Sequence, residues 1–145
     1  MKDNPFFSVI IPTFNQSAFL EKAIKSVFLQ KQNYEIIIID NNSTDNTDEV
    51  VNKYKNYNLR YLKIKNFGVI GKSRNLGIQN SKAPWVAFLD SDDEWYEDKL
   101  SYLEEFIKKN PDFDVITNDE EIVYEGSKKK LCGNMVLLRK IFIKN

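Results

Sequence analysis

The sequence predicts an α/β protein built on an open, mostly parallel sheet flanked by helices. Three observations lead there. Short β-branched apolar runs alternate with amphipathic stretches along the whole chain, the order that crossover connections require. One of those runs, "EIIIID" (35–40), has four consecutive isoleucines and is apolar on both faces, as befits a central parallel strand covered by helices on each side. Clusters of small polar and acidic residues follow the runs, where the rim of such a sheet would lie.

"FSVIIP" (7–12) is a short buried strand closed by Pro12. "SAFLEKAIKSVFLQ" (17–30) places Phe19, Leu20, Ala23, Ile24, Val27 and Phe28 at helical spacing, with Asn15 or Ser17 as its cap. After the isoleucine strand, "STDNTDEVVNKYKN" (43–56) opens on capping residues and continues as a helix. "LRYLKIK" (59–65) alternates as a strand with one wetter face. "NFGVIGKSRNLGIQNSK" (66–82) begins as a Gly-bearing loop and closes as a helix. "PWVAFLD" (84–90) is the next buried strand, and "YEDKLSYLEEFIKKN" (96–110) a helix with a stripe of Leu100, Leu103, Phe106 and Ile107, stopped by Pro111. "FDVIT" (113–117) reads as a further strand, and a hairpin is expected around Glu125, Gly126 and Ser127. There is no repeat, linker or low-complexity tract, so residues 1–145 form a single domain.

Composition narrows the function. The chain of 145 residues has 42% hydrophobic and 29% charged residues, enough for one packed core. Basic and acidic residues balance at 21 each, which argues against a broad nucleic-acid surface. Histidine is absent, which removes His-based catalytic pairs and His-ligated metal sites together. The lone Cys132 has no internal disulfide partner and no visible base beside it, in keeping with a reducing cytoplasm. The N-terminal apolar run is too short for a signal peptide, and no window reaches the length of a membrane span. The C-terminal "MVLLRKIFIKN" alternates apolar and basic residues and suggests contact with a membrane surface or a core element.

The topology would gather four separated motifs at one rim: "PTFN", "DNNSTD", "GKSRN" and "DSDD". In the last, Asp90 and Asp92 can face one point if the chain bends at Ser91. Oxygen ligands without His or Cys select hard cations such as Mg²⁺ or Mn²⁺, commonly held with substrate phosphates. The competing reading is that Asp92 or Asp93 caps the helix near Tyr96, and spacing alone leaves both open. Asp40 ends its strand where a carboxylate can accept hydrogen bonds from a base or ribose, or cap a helix. Thr13 and Asn15 offer polar groups, and Phe14 a stacking face, beside a plain turn reading. Lys72 and Arg74 can neutralise a diphosphate. Neither a phosphate-binding P-loop nor G-x-G-x-x-G is present.

These segments together, "SVIIPTFNQSAFLEKAIKSVFLQ", "YEIIIIDNNSTDNT" and "GKSRNLGIQNSKAPWVAFLDSDDEWYEDKL", resemble the nucleotide-sugar-binding half of family 2 glycosyltransferases, which have the GT-A fold. The resemblance covers roughly the first 110 residues. It implies a nucleotide-diphosphate sugar as donor, a UDP-sugar by preference, and Mn²⁺ or Mg²⁺ as cofactor. It places Pro12, Thr13 and Phe14 against the nucleoside, Asp40 on the base, Arg74 near the nucleotide, and Asp90, Ser91 and Asp92 at the sugar and diphosphate. "DSD" looks like the family's D-x-D element, with Asp92 the better direct metal ligand and Asp90 beside it. Asn41 departs from the second acid the family often has there.

The implied reaction is an inverting transfer to an acceptor hydroxyl of a glycan or glycolipid, in polysaccharide or glycoconjugate synthesis at the inner face of the membrane. The family's catalytic base lies further along than this chain extends. Asp119, Glu120 and Glu121 do not match its motif, so no base is assigned. The acceptor half is therefore expected to be missing, which would leave apolar surface for a homodimer. Two alternatives remain open: a non-catalytic module that only holds nucleotide sugar and metal, and a nucleotidyltransferase on a related fold.

Overall fold

The structure, a computed structural model, describes residues 4–124 and 127–139. Its elements run β1 (Phe7–Thr13), α1 (Ser17–Phe28), β2 (Tyr34–Asp40), α2 (Thr47–Asn52), β3 (Leu59–Lys63), α3 (Ile70–Asn80), β4 (Trp85–Phe88), α4 (Lys99–Lys109), β5 (Val115–Tyr124) and β6 (Ser127–Arg139). They form one sheet in the order β3-β2-β1-β4-β6-β5. β3, β2, β1 and β4 are parallel, with Phe7 opposite both Tyr34 and Trp85.

The isoleucine run explains how the layers are built. Successive side chains of a strand point to opposite faces, and here they enter two cores. Ile36 and Ile38 join Val9, Ile11 and Ala87 beneath α1, α2 and α4, which contribute Leu20, Ile24, Val51, Leu100 and Leu103. Ile37 and Ile39 join Ile10 and Val86 on the other face, covered by Leu76 and Ile78 of α3. Gly77 lets α3 come that close: a Cβ on it would stand 2.5 Å from Ile10 Cγ2.

Several expectations are corrected. The strand expected at 113–117 is longer, and it does not extend the parallel set. β6 runs antiparallel to β4, and β5 pairs antiparallel with β6 on its far side. The expected hairpin is present, with Tyr124 opposite Ser127; its Glu125 and Gly126 lie outside the described residues, as do the last six residues of the C-terminal segment. Cys132 lies in β6. Phe19, assigned to the α1 stripe, is half exposed because it sits at the margin of the Leu20–Ala23–Ile24–Val27 row. α2 is shorter than the pattern implied because residues 43–46 tie loops together instead of entering the helix. Among the described residues no helix is long and apolar enough to cross a membrane.

The end of the sheet opposite the rim is locked by a buried carboxylate. Glu35 accepts from Ser8 Oγ (2.6 Å), Lys82 N (2.6 Å) and the Arg60 guanidinium (2.8 Å). Arg60 also donates to the Asn80 carbonyl, so the α3–β4 junction is pinned to the starts of β1 and β2.

Candidate active site

In an open α/β sheet the ligand crevice forms beyond the carboxyl ends of the strands, at the point where the strand order reverses. Here that point lies between β1 and β4, since the order runs from β1 to β2 and β3 on one side and to β4 on the other. A cleft of about 360 Å³ opens there, lined by Pro12, Thr13, Phe14, Gln16, Asn41, Asn66, Gly68, Ile70, Ser73, Asp90, Ser91 and Asp92. The four polar motifs therefore do meet at one rim. Of the residues singled out from sequence, Pro12, Thr13, Phe14, Asp90, Ser91 and Asp92 line the cleft directly.

The wall after β1 is held by the loop after β2. Asn15 adopts a positive φ of 51°, a conformation asparagine tolerates. This lets its N–H donate to Ser43 Oγ (2.9 Å) while its Oδ1 accepts from Thr44 N (2.8 Å). Asn15 is therefore a loop tie and not the α1 cap. The cap is supplied from the neighbouring loop, where Asp45 accepts from Ser17 N (2.9 Å) and from Thr47 Oγ1 (2.6 Å). Burial pushes the Asp45 carboxyl up, but the hydrogen bonds from Thr47 and Ser17 outweigh it and hold it at about 2. Thr13 Oγ1 is buried without a partner among the described residues, an arrangement that is costly unless a ligand or water completes it.

Asp40 lies beneath this wall. It is fully buried; Oδ1 accepts from Ser43 N and Oγ (2.9 and 2.5 Å), and Oδ2 from the Tyr61 hydroxyl (2.7 Å). The same hydroxyl stands 2.6 Å from Asp48, and burial together with the two carboxylates pushes the Tyr61 phenol far up. Asn41, the next residue, lines the cleft instead. Its Oδ1 accepts from Asn66 N (2.9 Å), which leaves its amide N–H₂ group as the available donor.

The opposite wall follows β4. Leu89 N still donates to the Ile10 carbonyl (3.0 Å), and Asp93 N closes a turn onto the Asp90 carbonyl (3.0 Å). The acid knot is thus a turn projecting from the sheet. It is no helix cap: α4 starts at Lys99 behind Asp98. Arg74 of α3 donates through one nitrogen to both Asp90 oxygens (2.8 and 3.1 Å), while its guanidinium rests over the Phe88 ring. Arg74 is therefore bound to Asp90 and sits behind the cleft lining, and Lys72 is exposed outside it.

Asp92 has no cationic side chain within ion-pair distance among the described residues; its contact is Gln16 Nε2 at 3.4 Å. No group of three or more His, Cys, Asp or Glu gathers among those residues as a self-sufficient metal cage. One open carboxylate beside a second, already charge-paired one fits a hard cation completed by substrate phosphates, and Asp92 with Asp90 would hold it.

Apart from Asn41 and Ser73, which lie in the quoted motifs, four cleft residues, Gln16, Asn66, Gly68 and Ile70, were not singled out from sequence. Asn66 fastens the β3–α3 turn by donating to Ser73 Oγ (2.7 Å) and accepting from Gly68 N (3.1 Å). That turn places Phe67 (φ 56°) and Gly68 (φ 82°) in the left-handed region. Phe67 points outward, 84% exposed, while Asn66, Gly68 and Ile70 face the cleft. Gln16 reaches across to the acid turn. No motif announces these residues; only the tertiary arrangement gives them a place.

Comparison with known proteins agrees with this arrangement. Poly(ribitol-phosphate) beta-N-acetylglucosaminyltransferase TarP of Staphylococcus aureus is 43% identical over 109 residues, covering 71% of this chain and 33% of TarP. An uncharacterized glycosyltransferase of Rickettsia felis is 43% identical over 105 residues, which are 71% of this chain and 17% of that protein. This chain therefore spans a third or less of either relative's length. The crystal structure of S. aureus TarS 1–349 in complex with UDP-GlcNAc superposes with a TM-score of 0.71 at 33% identity, covering 75% of this chain and 32% of that one. The sheet is thus of the GT-A type. Residues 8–142 match the family described as Glycosyl transferase family 2, and the chain belongs to that family.

Proposed function

We propose that this chain supplies the donor side of a transferase that moves a sugar from a nucleotide-diphosphate sugar, with a UDP-sugar favoured, to an acceptor hydroxyl of a glycan or glycolipid, with inversion at the anomeric carbon. The observation that carries this reading is the two-sided cleft. An unpartnered buried hydroxyl (Thr13), an aromatic ring (Phe14) and an amide donor (Asn41) face two carboxylates (Asp90 and Asp92) across the switch point. The nucleoside belongs on the first side and the diphosphate on the second. The UDP-GlcNAc bound by TarS supports the choice of nucleotide.

Each residue then has a physical task. Phe14 offers a face for stacking, and the Asn41 amide donates to a base carbonyl. Asp40 acts from below, fixing the loop that carries Asn41 through Ser43. Arg74 fixes the orientation of Asp90. Asp92 and Asp90 hold Mn²⁺ or Mg²⁺, which when bound stabilises the departing nucleoside diphosphate. No residue of this chain is assigned as the base that takes the acceptor proton.

Calorimetric titration of UDP and of GDP, each with and without Mn²⁺, tests the proposal. Mn²⁺-dependent binding of UDP is expected. Failure of both nucleotides to bind, with and without metal, would refute it.

A further inference from the structure

One side chain joins the two walls of the cleft. Gln16 precedes α1, and its backbone carbonyl accepts the N–H groups of Phe19 and Leu20. Its side chain points away from that helix toward the acid turn. Gln16 Oε1 accepts the Ser91 hydroxyl proton, and Nε2 lies 3.4 Å from Asp92 Oδ2. The two residues it touches are 75 and 76 positions away in sequence. Ser91 is buried and Asp92 exposed, so the carboxamide grips the turn at its root and meets Asp92, which no cationic side chain among the described residues pairs.

We infer that Gln16 is a positioning residue that sets the direction of the Asp92 carboxylate through one carboxamide. The inference rests on the donor-site reading for its functional consequence, but the grip itself is independent of any ligand. The chemistry suits the task. A carboxamide is a donor and an acceptor at once, so a single residue can satisfy the Ser91 hydroxyl and steer an acceptor-only carboxylate. It is also uncharged, so it holds Asp92 without neutralising it and leaves the negative charge for a cation. A lysine there would compete with the metal, and a glutamate could accept from Ser91 but would have no proton to give Asp92. The near side of Gln16 is itself firmly held, because Asp45 caps Ser17 and Asn15 is tied to Ser43 and Thr44.

The test compares wild type, Gln16→Leu and Gln16→Glu in two measurements. Leucine matches the bulk without either polar end. In calorimetry, Gln16→Leu weakens UDP binding in the presence of Mn²⁺ by about 5- to 10-fold, a loss of one steered contact, and leaves metal-free UDP affinity within about twofold of wild type. Gln16→Glu keeps the acceptor for Ser91 but has no proton for Asp92, so it does not restore wild-type Mn²⁺-dependent binding. In amide hydrogen exchange without ligand, Gln16→Leu speeds exchange at Asp93, whose N–H closes the turn, by about 10-fold, while amides of β1 and β2 are unchanged. Equal Mn²⁺ dependence in wild type and Gln16→Leu, or equal exchange at Asp93, overturns the inference. So does a proportional loss of metal-free UDP binding, which would make Gln16 a general support of the cleft. If wild type binds no UDP but exchange at Asp93 rises in Gln16→Leu, the donor reading fails and the grip on the turn stands.

Discussion

Replacing Gly77 with alanine probes how closely α3 rides on the central strand. The new methyl would stand 2.5, 2.8 and 3.0 Å from Ile10 Cγ2, Cδ1 and Cγ1, whereas carbon atoms rest comfortably at about 3.5–4.0 Å. The shortfall is about 1 Å. Ile10 cannot yield by rotation, because both branches at its Cβ already lie within that distance and β-branched side chains are stiff at χ1. It cannot yield by translation either, because β1 is hydrogen-bonded to β2 on one side and β4 on the other. The helix must lift. Alanine gains about 1 kcal/mol over glycine inside a helix, while overpacking a filled core costs about 1–3 kcal/mol and sometimes more. Three contacts this short put the cost in the upper part of that range, about 2–3 kcal/mol, so the net expectation is a loss of about 1–2 kcal/mol. With a urea m-value of about 2 kcal/mol/M, the midpoint falls by about 0.5–1 M with m unchanged. Lifting α3 also draws Arg74 from Asp90, so nucleotide binding weakens more than the stability loss alone explains. Ile10→Ala in the same chain should relieve the clash, so the double variant is less destabilised than the sum of the two singles. A Gly77→Ala midpoint equal to or above wild type would show that helix propensity outweighs the contact, and would refute the close approach.

Three further outcomes follow from the same contacts. Asp92→Ala removes a carboxylate that has no cationic partner among the described residues, so Mn²⁺-dependent UDP binding is lost while the unfolding free energy from urea melts stays within about 0.5 kcal/mol of wild type; unchanged UDP affinity with and without Mn²⁺ would exclude the metal role. Asp45 has a carboxyl held at about 2 against an ordinary 3.8, so its contribution is present above about pH 4 and lost as the pH falls toward 2. Asp45→Ala should flatten that part of the stability-versus-pH curve, and a curve parallel to wild type below pH 4 would contradict the cap. Glu35→Gln keeps the acceptor for Ser8 and Lys82 but removes the charge facing Arg60, costing about 1.5–3 kcal/mol in denaturant melts. A neutral result would mean that solvent, to which Arg60 is a third exposed, already screens the pair.

How legible all this was in the sequence depended on the range of the interactions involved. Four isoleucines in a row can be placed only where both faces are buried, and Ile36 to Ile39 divide between two cores as that reasoning requires. The gathering of "PTFN", "DNNSTD" and "DSDD" followed from the rule that strand ends share a rim. The last two strands were harder. "VITNDEEIVY" carries too many polar residues to be followed as a strand beyond Thr117, and nothing local says that β6 inserts between β4 and β5. Asn66 and Gln16 were invisible for a similar reason. Each is an ordinary polar residue in its own segment, and the partner that brings it to the cleft, Asn41 for Asn66 and Ser91 for Gln16, lies on a segment that only the folded sheet brings near.

The position of β1 bears on how the cleft comes into being. Its first partner is close along the chain: Ser8 meets Glu35 across 27 residues. Its other partner arrives late, since Phe7 pairs with Trp85 of β4, and beyond the strand ends Gln16 meets Ser91 across 75. Non-local pairings must meet the loop-closure entropy before they return any contact energy, and they slow folding accordingly. The β1–α1–β2 unit can therefore mature as a local nucleus, while the acid turn is assembled only when β4 docks. In pulse-labelled hydrogen exchange, protection of β1 and β2 amides should precede that of Leu89 and Asp93; simultaneous protection would instead mean that the two walls of the cleft are born in one cooperative step.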